Sequence, residues 1–139
     1  MTQDLDTNLL EPPSPLQRHL GYRLIAWSKD FARLELPLEP FLMNRQGLPH
    51  GGIHATMLDT AMGFSGCYTG DPARQQMALT LSLTVNYLGQ ANGTKRIAEA
   101  RRTGGGKSTY FAEGMVWDDN GTLIATGTGV FRLRRDHAQ

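Results

Sequence analysis

The stretch His50-Gly51-Gly52-Ile53-His54-Ala55-Thr56-Met57-Leu58-Asp59-Thr60-Ala61-Met62-Gly63 decides how the rest of the chain is read. From Gly51 to about Cys67, small and apolar residues lie on nearly every side of a helical projection, with Ile53, Met57, Leu58, Ala61, Met62 and Phe64 carrying most of the apolar area. A helix with no polar face belongs in a core rather than on a surface. Its first turn is nearly bare backbone. Its middle holds one carboxylate, Asp59, where an unpaired charge would be costly.

Working outward from this helix, the preceding segment Phe41 to Pro49 carries Asn44, Gly47 and Pro49 and reads as a loop leading directly into it. Before that, Tyr22 to Trp27 and Phe31 to Leu36 alternate roughly between apolar and polar residues around Ser28-Lys29-Asp30, which predicts a β-hairpin. Ser14-Pro15 can start one helical turn ending at Gly21. After the helix, Gly70-Asp71-Pro72 closes the passage, and Met77 to Leu88 sets Leu79, Leu81, Leu83, Val85 and Tyr87 against Thr80, Ser82, Thr84 and Asn86. That alternation predicts a long, half-buried strand. Lys95 to Thr103, Ser108 to Trp117 and Thr122 to Leu133 follow as strands, joined by Gly104-Gly105-Gly106 and by a turn with Asn120-Gly121 at its tip. Strands on both sides of one apolar helix define an α+β domain, an antiparallel sheet wrapped around a central buried helix.

At 139 residues the chain is expected to form one domain over 15–135, with an N-terminal arm at 1–14 and a C-terminal tail at 136–139. A net charge of +1, with basic residues dispersed except at Arg132 to Arg135, gives no nucleic-acid footprint. The single cysteine, Cys67, excludes an intrachain disulfide and a multi-cysteine metal site. No apolar run reaches the roughly 20 residues needed to span a bilayer. The polar, acidic start does not read as a secretion signal, so a cytoplasmic location is expected.

The segment Asn44-Arg45-Gln46-Gly47-Leu48-Pro49-His50-Gly51-Gly52, then Leu58-Asp59-Thr60-Ala61, the Leu79-to-Tyr87 strand and Ala125-Thr126-Gly127-Thr128-Gly129-Val130-Phe131 resemble the hotdog-fold acyl-CoA thioesterases of the phenylacetate-degradation (PaaI-like) group, in the 4-hydroxybenzoyl-CoA thioesterase superfamily. The likeness runs from about Leu16 to Arg134. It implies that Asp59 is the nucleophile or the general base that directs water at the thioester carbonyl. The Gly51 amide, with or without that of Gly52, would hold the oxyanion, Asn44 and His50 would shape the site, and Thr80 would help orient water near the aspartate. It further implies a dimer or tetramer that binds coenzyme A along grooves between subunits, through Tyr87, Leu88, Gly89, Gln90, Ala91 and Asn92, through Gly104, Gly105, Gly106, Lys107, Ser108 and Thr109, and through Arg132. No metal or organic cofactor is implied.

Chemistry makes the same residues credible. Unpaired amides in a helix's first turn lack intrahelical acceptors, and the helix dipole favours an anion there. Two glycines let a ligand approach that backbone closely. Yet Asp59 lies eight residues beyond Gly51, roughly 12 Å along the axis at about 1.5 Å per residue. Hydrogen-bond reach is about 3 Å. One chain therefore cannot bring both groups to one carbonyl, whereas two antiparallel copies can.

Plainer readings stand beside these. Asp59 could be a paired structural group, the glycines could serve close packing, and Asn44 could be a turn residue. His50 and His54 are four apart but lack a third metal ligand. Cys67 reads as a buried, inert thiol. Gly104-Gly105-Gly106-Lys107-Ser108 misses the phosphate-loop spacing, though a hairpin tip with one cation suits a coenzyme A phosphate. Met43, Met57, Met62, Phe64 and Tyr68 are candidate acyl-pocket residues. The reaction expected is hydrolysis of an acyl- or aryl-CoA. The rivals are an enzyme acting on carrier-protein thioesters, a non-catalytic acyl-CoA binder and a hotdog dehydratase.

Overall fold

In the computed structural model, which describes residues 5–135, Ser14 Oγ accepts from the Gln17 amide at 3.1 Å and starts helix α1, Pro15–Leu20. Pro15 occupies the first turn, where its missing N–H costs nothing, and Gly21 ends the helix in the left-handed region at φ 93°. Ahead of α1, Thr7–Leu9 forms a 3₁₀ turn capped by Asp6. The four residues of the expected tail, 136–139, lie outside the described residues.

Strands β1, Arg23–Ser28, and β2, Phe31–Pro37, form the expected hairpin. The loop after β2 delivers the chain into the long helix α2, Gly51–Ser65. Beyond α2 come β3, Gln76–Tyr87, β4, Lys95–Gly105, β5, Thr109–Asp118, and β6, Leu123–Arg135. They pair antiparallel in one six-stranded sheet of order β1-β2-β4-β5-β6-β3, so β3 is an edge despite its place in the middle of the chain. The α+β hotdog architecture is as expected.

His54, Met57, Leu58, Ala61, Met62 and Ser65 are the buried residues of α2, at the spacing of one helical face. This face meets Leu34, Leu36, Ala98, Ala100, Ala112, Val116 and Phe131 of the sheet. Small residues on the strands make room for the helix: a Cβ at Gly114 or Gly127 would come within 3.0 to 3.2 Å of the Leu58 methyls. The opposite face, which includes Ala55, Thr56, Asp59, Thr60 and Gly63, is only half-buried. The sheet thus covers one side of the helix, which leaves its second side, of small and polar residues, only partly covered within a single chain.

Two expectations change here. Met57 and Met62 are fully buried against the sheet, so they are core residues rather than walls of an open acyl pocket. Phe64 and Tyr68 pack edge-on to Trp27, at centroid distances of 5.3 and 5.6 Å, beside the C-terminal end of α2. Cys67 is buried there too, lining a cavity of about 70 Å³ with Trp27, Tyr68 and the arm residues Leu9 and Leu10. Burial pushes its thiol up to about 11, which makes it a poor nucleophile at neutral pH.

Candidate active site

The loop before α2 is shaped by Asn44. Its Oδ1 accepts from the amides of Gln46 (2.9 Å) and Leu48 (3.1 Å), while its backbone N–H donates to Leu48 O at 2.7 Å. Asn44 therefore builds the turn that Gly47, at φ 78°, completes. The turn side of the side chain is committed, and only the amide nitrogen stays free to face a ligand.

His50 is the N-cap of α2, and its Nδ1 accepts from the Gly52 amide at 2.8 Å. An imidazole in the place usually taken by a hydroxyl or carboxylate answers one of the orphan first-turn donors. The Ile53 amide donates to His50 O at 2.9 Å. Gly52 is thereby removed as an oxyanion donor. The Gly51 N–H donates to no acceptor among the described residues, and it sits at the positive end of the helix dipole.

Asp59 lies on the half-buried side of α2, where Thr80 Oγ1 donates to its Oδ1 at 2.6 Å. Strict alternation would turn Thr80 away from the helix, because Leu83 and Val85 point inward opposite Gly129 and Gly127. A bulge at Leu81 resets the register between Thr80 and Ser82, so Thr80 sits opposite the inward-facing Phe131. The extra residue re-aims one hydroxyl at the carboxylate.

Tyr87, at the far end of the same strand, donates its hydroxyl to Gly51 O at 2.6 Å. Thr80 and Tyr87 thus mark two points on β3, roughly 20 Å apart at about 3.3 Å per residue with one residue lost to the bulge. Thr80 reports where Asp59 is, and Tyr87 where Gly51 is. Sheet register and helical rise agree that one chain keeps the Gly51 turn and Asp59 well apart.

The segments expected to contact coenzyme A divide the same way. Leu133 N–H donates to Ser108 O at 2.7 Å, and Thr109 pairs with Arg132, so the Gly104-to-Thr109 hairpin and Arg132 meet at the Thr80 end of the sheet. Arg102 straps this hairpin by donating to Gly104 O (3.3 Å) and Gly106 O (3.1 Å), which makes the turn held rather than flexible. The Tyr87-to-Asn92 segment lies at the other end, where Leu88 N–H donates to Ile124 O, eight residues and roughly 27 Å along β6 from Arg132. From below, Arg96 Nη1 donates to Asn92 O at 3.0 Å and Asp118 Oδ2 accepts from the Asn92 amide at 3.2 Å.

His54 is 5% exposed, and neither ring nitrogen has a partner among the described residues. Burial first, and Arg96 second, hold its pKa down at about 4. His50 is instead spent on the Gly52 amide, so the two histidines have separate uses; the described residues contain no group of three potential metal ligands. Sequence reasoning missed the Tyr87 contact with the helix turn and the buried His54–Arg96 pair. Neither has a local signature, since each depends on β3 or β4 passing α2 at one height.

The arrangement defines a hotdog-fold protein with a donor turn at one end of its helix and a carboxylate near the middle. A family model described as the thioesterase superfamily matches residues 46–125. The chain belongs to the thioesterase superfamily, and its class is that of the thioester hydrolases. It is 26% identical to the medium/long-chain acyl-CoA thioesterase YigI of Escherichia coli strain K12, over 86% of this chain and 85% of the relative. A thioesterase family protein from Silicibacter pomeroyi, of known crystal structure, superposes with a TM-score of 0.76 at 26% identity, covering 88% of this chain and 90% of that one. The BH2602 protein from Bacillus halodurans, crystallised with CoA, is 36% identical with a TM-score of 0.64, covering 73% and 66%. Among the described residues no helix is long and apolar enough to cross a membrane.

Proposed function

We propose that this protein hydrolyses acyl- or aryl-CoA thioesters to the free acid and coenzyme A, at sites each shared by two subunits. The observation that carries the reading is the pair of half-sites on α2, with an unengaged Gly51 amide at one end and Asp59, held by Thr80, too far along to serve it. In a dimer with antiparallel helices, Asp59 of one subunit and the Gly51 amide of the other face one carbonyl. The half-buried side of α2 and the exposed edge strand β3, with Met77, Leu79 and Leu81 each about half exposed, are surfaces that such pairing would cover.

Asp59 acts as general base. Thr80 occupies Oδ1, and the other oxygen takes a proton from water as the water oxygen bonds to the thioester carbon. Negative charge moves to the carbonyl oxygen and is met by the Gly51 N–H and the helix dipole. The carbonyl re-forms as the C–S bond breaks, and Asp59 returns the proton to the leaving sulfur. This scheme uses no metal and no organic cofactor. The same pairing sets the Tyr87-to-Asn92 segment of one subunit beside the Gly104-to-Thr109 hairpin of the other, which gives a long nucleotide two ends to hold.

Release of free thiol from acyl- and aryl-CoAs of increasing chain length, measured for the native protein and for Asp59→Asn, tests this reading. The name of the Escherichia coli relative makes medium and long acyl chains the first to try. Thiol release lowered about a thousandfold by Asp59→Asn is the expected result. Tight acyl-CoA binding without release would leave a binding protein in place of an enzyme.

A further inference from the structure

The peptide unit joining Gly51 to Gly52 is gripped on both sides. Its carbonyl accepts from Tyr87 Oη at 2.6 Å, and its N–H donates to His50 Nδ1 at 2.8 Å. The preceding unit, which carries the Gly51 N–H, is held at its carbonyl, because His50 O accepts from the Ile53 N–H at 2.9 Å, and the unit before that donates its His50 N–H to Leu42 O at 2.9 Å. Two adjacent glycines would otherwise leave this turn its widest freedom.

Tyr87 reaches this place from the end of the edge strand β3, which packs beside α2. Its ring lies 6.2 Å from that of His54, inclined at 62°, and its hydroxyl end packs on Gly51. A Cβ at Gly51 would sit 3.3 Å from Tyr87 Cζ and Oη, so the bare glycine is the space into which the tyrosine docks. Glycine at this position thus serves two ends, open access for a ligand and a seat for the brace.

We propose that Tyr87 is a positioning residue for the reaction: with His50 it clamps the Gly51–Gly52 peptide and so presets the direction of the Gly51 amide toward the developing oxyanion. The inference rests on the thioester-hydrolase reading above, and it assigns the tyrosine hydroxyl to the helix turn instead of to the nucleotide. A donor aimed in advance needs no reorganisation as charge develops, which is where electrostatic catalysis gains most. The two grips also reinforce each other, since a hydrogen bond to the carbonyl of a peptide strengthens donation by its N–H.

The experiment compares native protein, Tyr87→Phe, His50→Ala, the double variant and Asp59→Asn, with steady-state thiol release and amide hydrogen exchange at Gly52. Tyr87→Phe keeps the ring and removes only the grip. The expected result is a loss of about tenfold in kcat with KM unchanged, less than removal of an oxyanion donor itself would cost. Exchange at Gly52 should be faster, and the double variant should lose less than the product of the single losses, because both side chains hold one peptide. Unchanged kcat, or a raised KM with intact kcat, overturns the proposal and returns Tyr87 to nucleotide contact. Unaltered exchange at Gly52 overturns the clamp whatever the kinetics. If Asp59→Asn leaves activity intact, the hydrolase mechanism itself falls and the role of Tyr87 falls with it.

Discussion

Thr80 Oγ1 donates to Asp59 Oδ1 at 2.6 Å across the gap between the edge strand and the helix. The bond holds one carboxylate oxygen and leaves the other to handle a proton. Asp59→Asn is therefore expected to lower kcat by about a thousandfold, within the range for loss of a general base. Thr80→Val, which keeps the branched shape and removes the donor, should cost about tenfold, and adding it to Asp59→Asn should cost little more. Steady-state thiol release by the three variants checks this. Equal losses for Thr80→Val in both backgrounds would separate the hydroxyl from the carboxylate.

How far the site could be read in advance depended on whether a feature was local. The Asn44-to-Asp59 block lies within one loop and one helix, so its spacing and its 12 Å separation followed from helical rise alone. The six strands followed from alternation and turn residues. Thr80 is the instructive case. Alternation along Met77 to Leu88 puts it on the face away from Leu83, and only the bulge at Leu81, a matter of pairing with β6, turns it inward. The same limit hid the tyrosine brace and the loss of Gly52 to His50, because side-chain partners across a fold leave no period in a sequence. The helix looked buried all round because its second side is made mostly of small residues, and one chain covers that side only partly.

Complementation between inactive subunits tests the division of the site. Gly51→Pro removes the donor N–H and crowds Tyr87 within the same half-site, at a helix position where proline is tolerated, and His50 at ψ 135° is already in the extended conformation that proline requires of its predecessor. Mixed with Asp59→Asn protein through unfolding and refolding, a hybrid dimer has one site carrying both lesions and one carrying neither. Random pairing then restores about a quarter of native activity from two inactive parents. Hybrids shown to form by mass spectrometry, yet inactive, would confine each site to one chain and sink the shared arrangement.

The exposed edge of β3 is the second handle on assembly. A long strand edge carrying Met77, Leu79 and Leu81 invites pairing with another copy, and charges on such an edge oppose it. Leu79→Lys with Leu81→Lys is expected to shift the protein to monomers and to abolish thiol release, with the far-ultraviolet circular dichroism kept. Light scattering and activity on the same samples decide the matter, since full activity in a monomer contradicts the shared site directly.

His54 gives the fold an acid limit. It packs on the inner face of the sheet, with the Tyr87 ring on one side and the Arg96 guanidinium near, and it has no acceptor for an added proton. Its pKa falls from 6.5 to about 4, so the unfolded chain takes up a proton across that window while the folded chain does not. Stability is then unaffected by this group above pH 6.5 and is lost progressively as pH falls toward 4. The full loss is about 3 kcal/mol, at roughly 1.4 kcal/mol per unit. His54→Leu removes the proton site and two unpaired buried nitrogens while it keeps an apolar body against the sheet. Urea midpoints at pH 7 and pH 4.5 should therefore draw closer together in the variant than in the native protein. The comparison uses the change between pH values, so a general gain from removing unpaired nitrogens cancels. An equal shift in both proteins would move the acid limit from His54 to other groups.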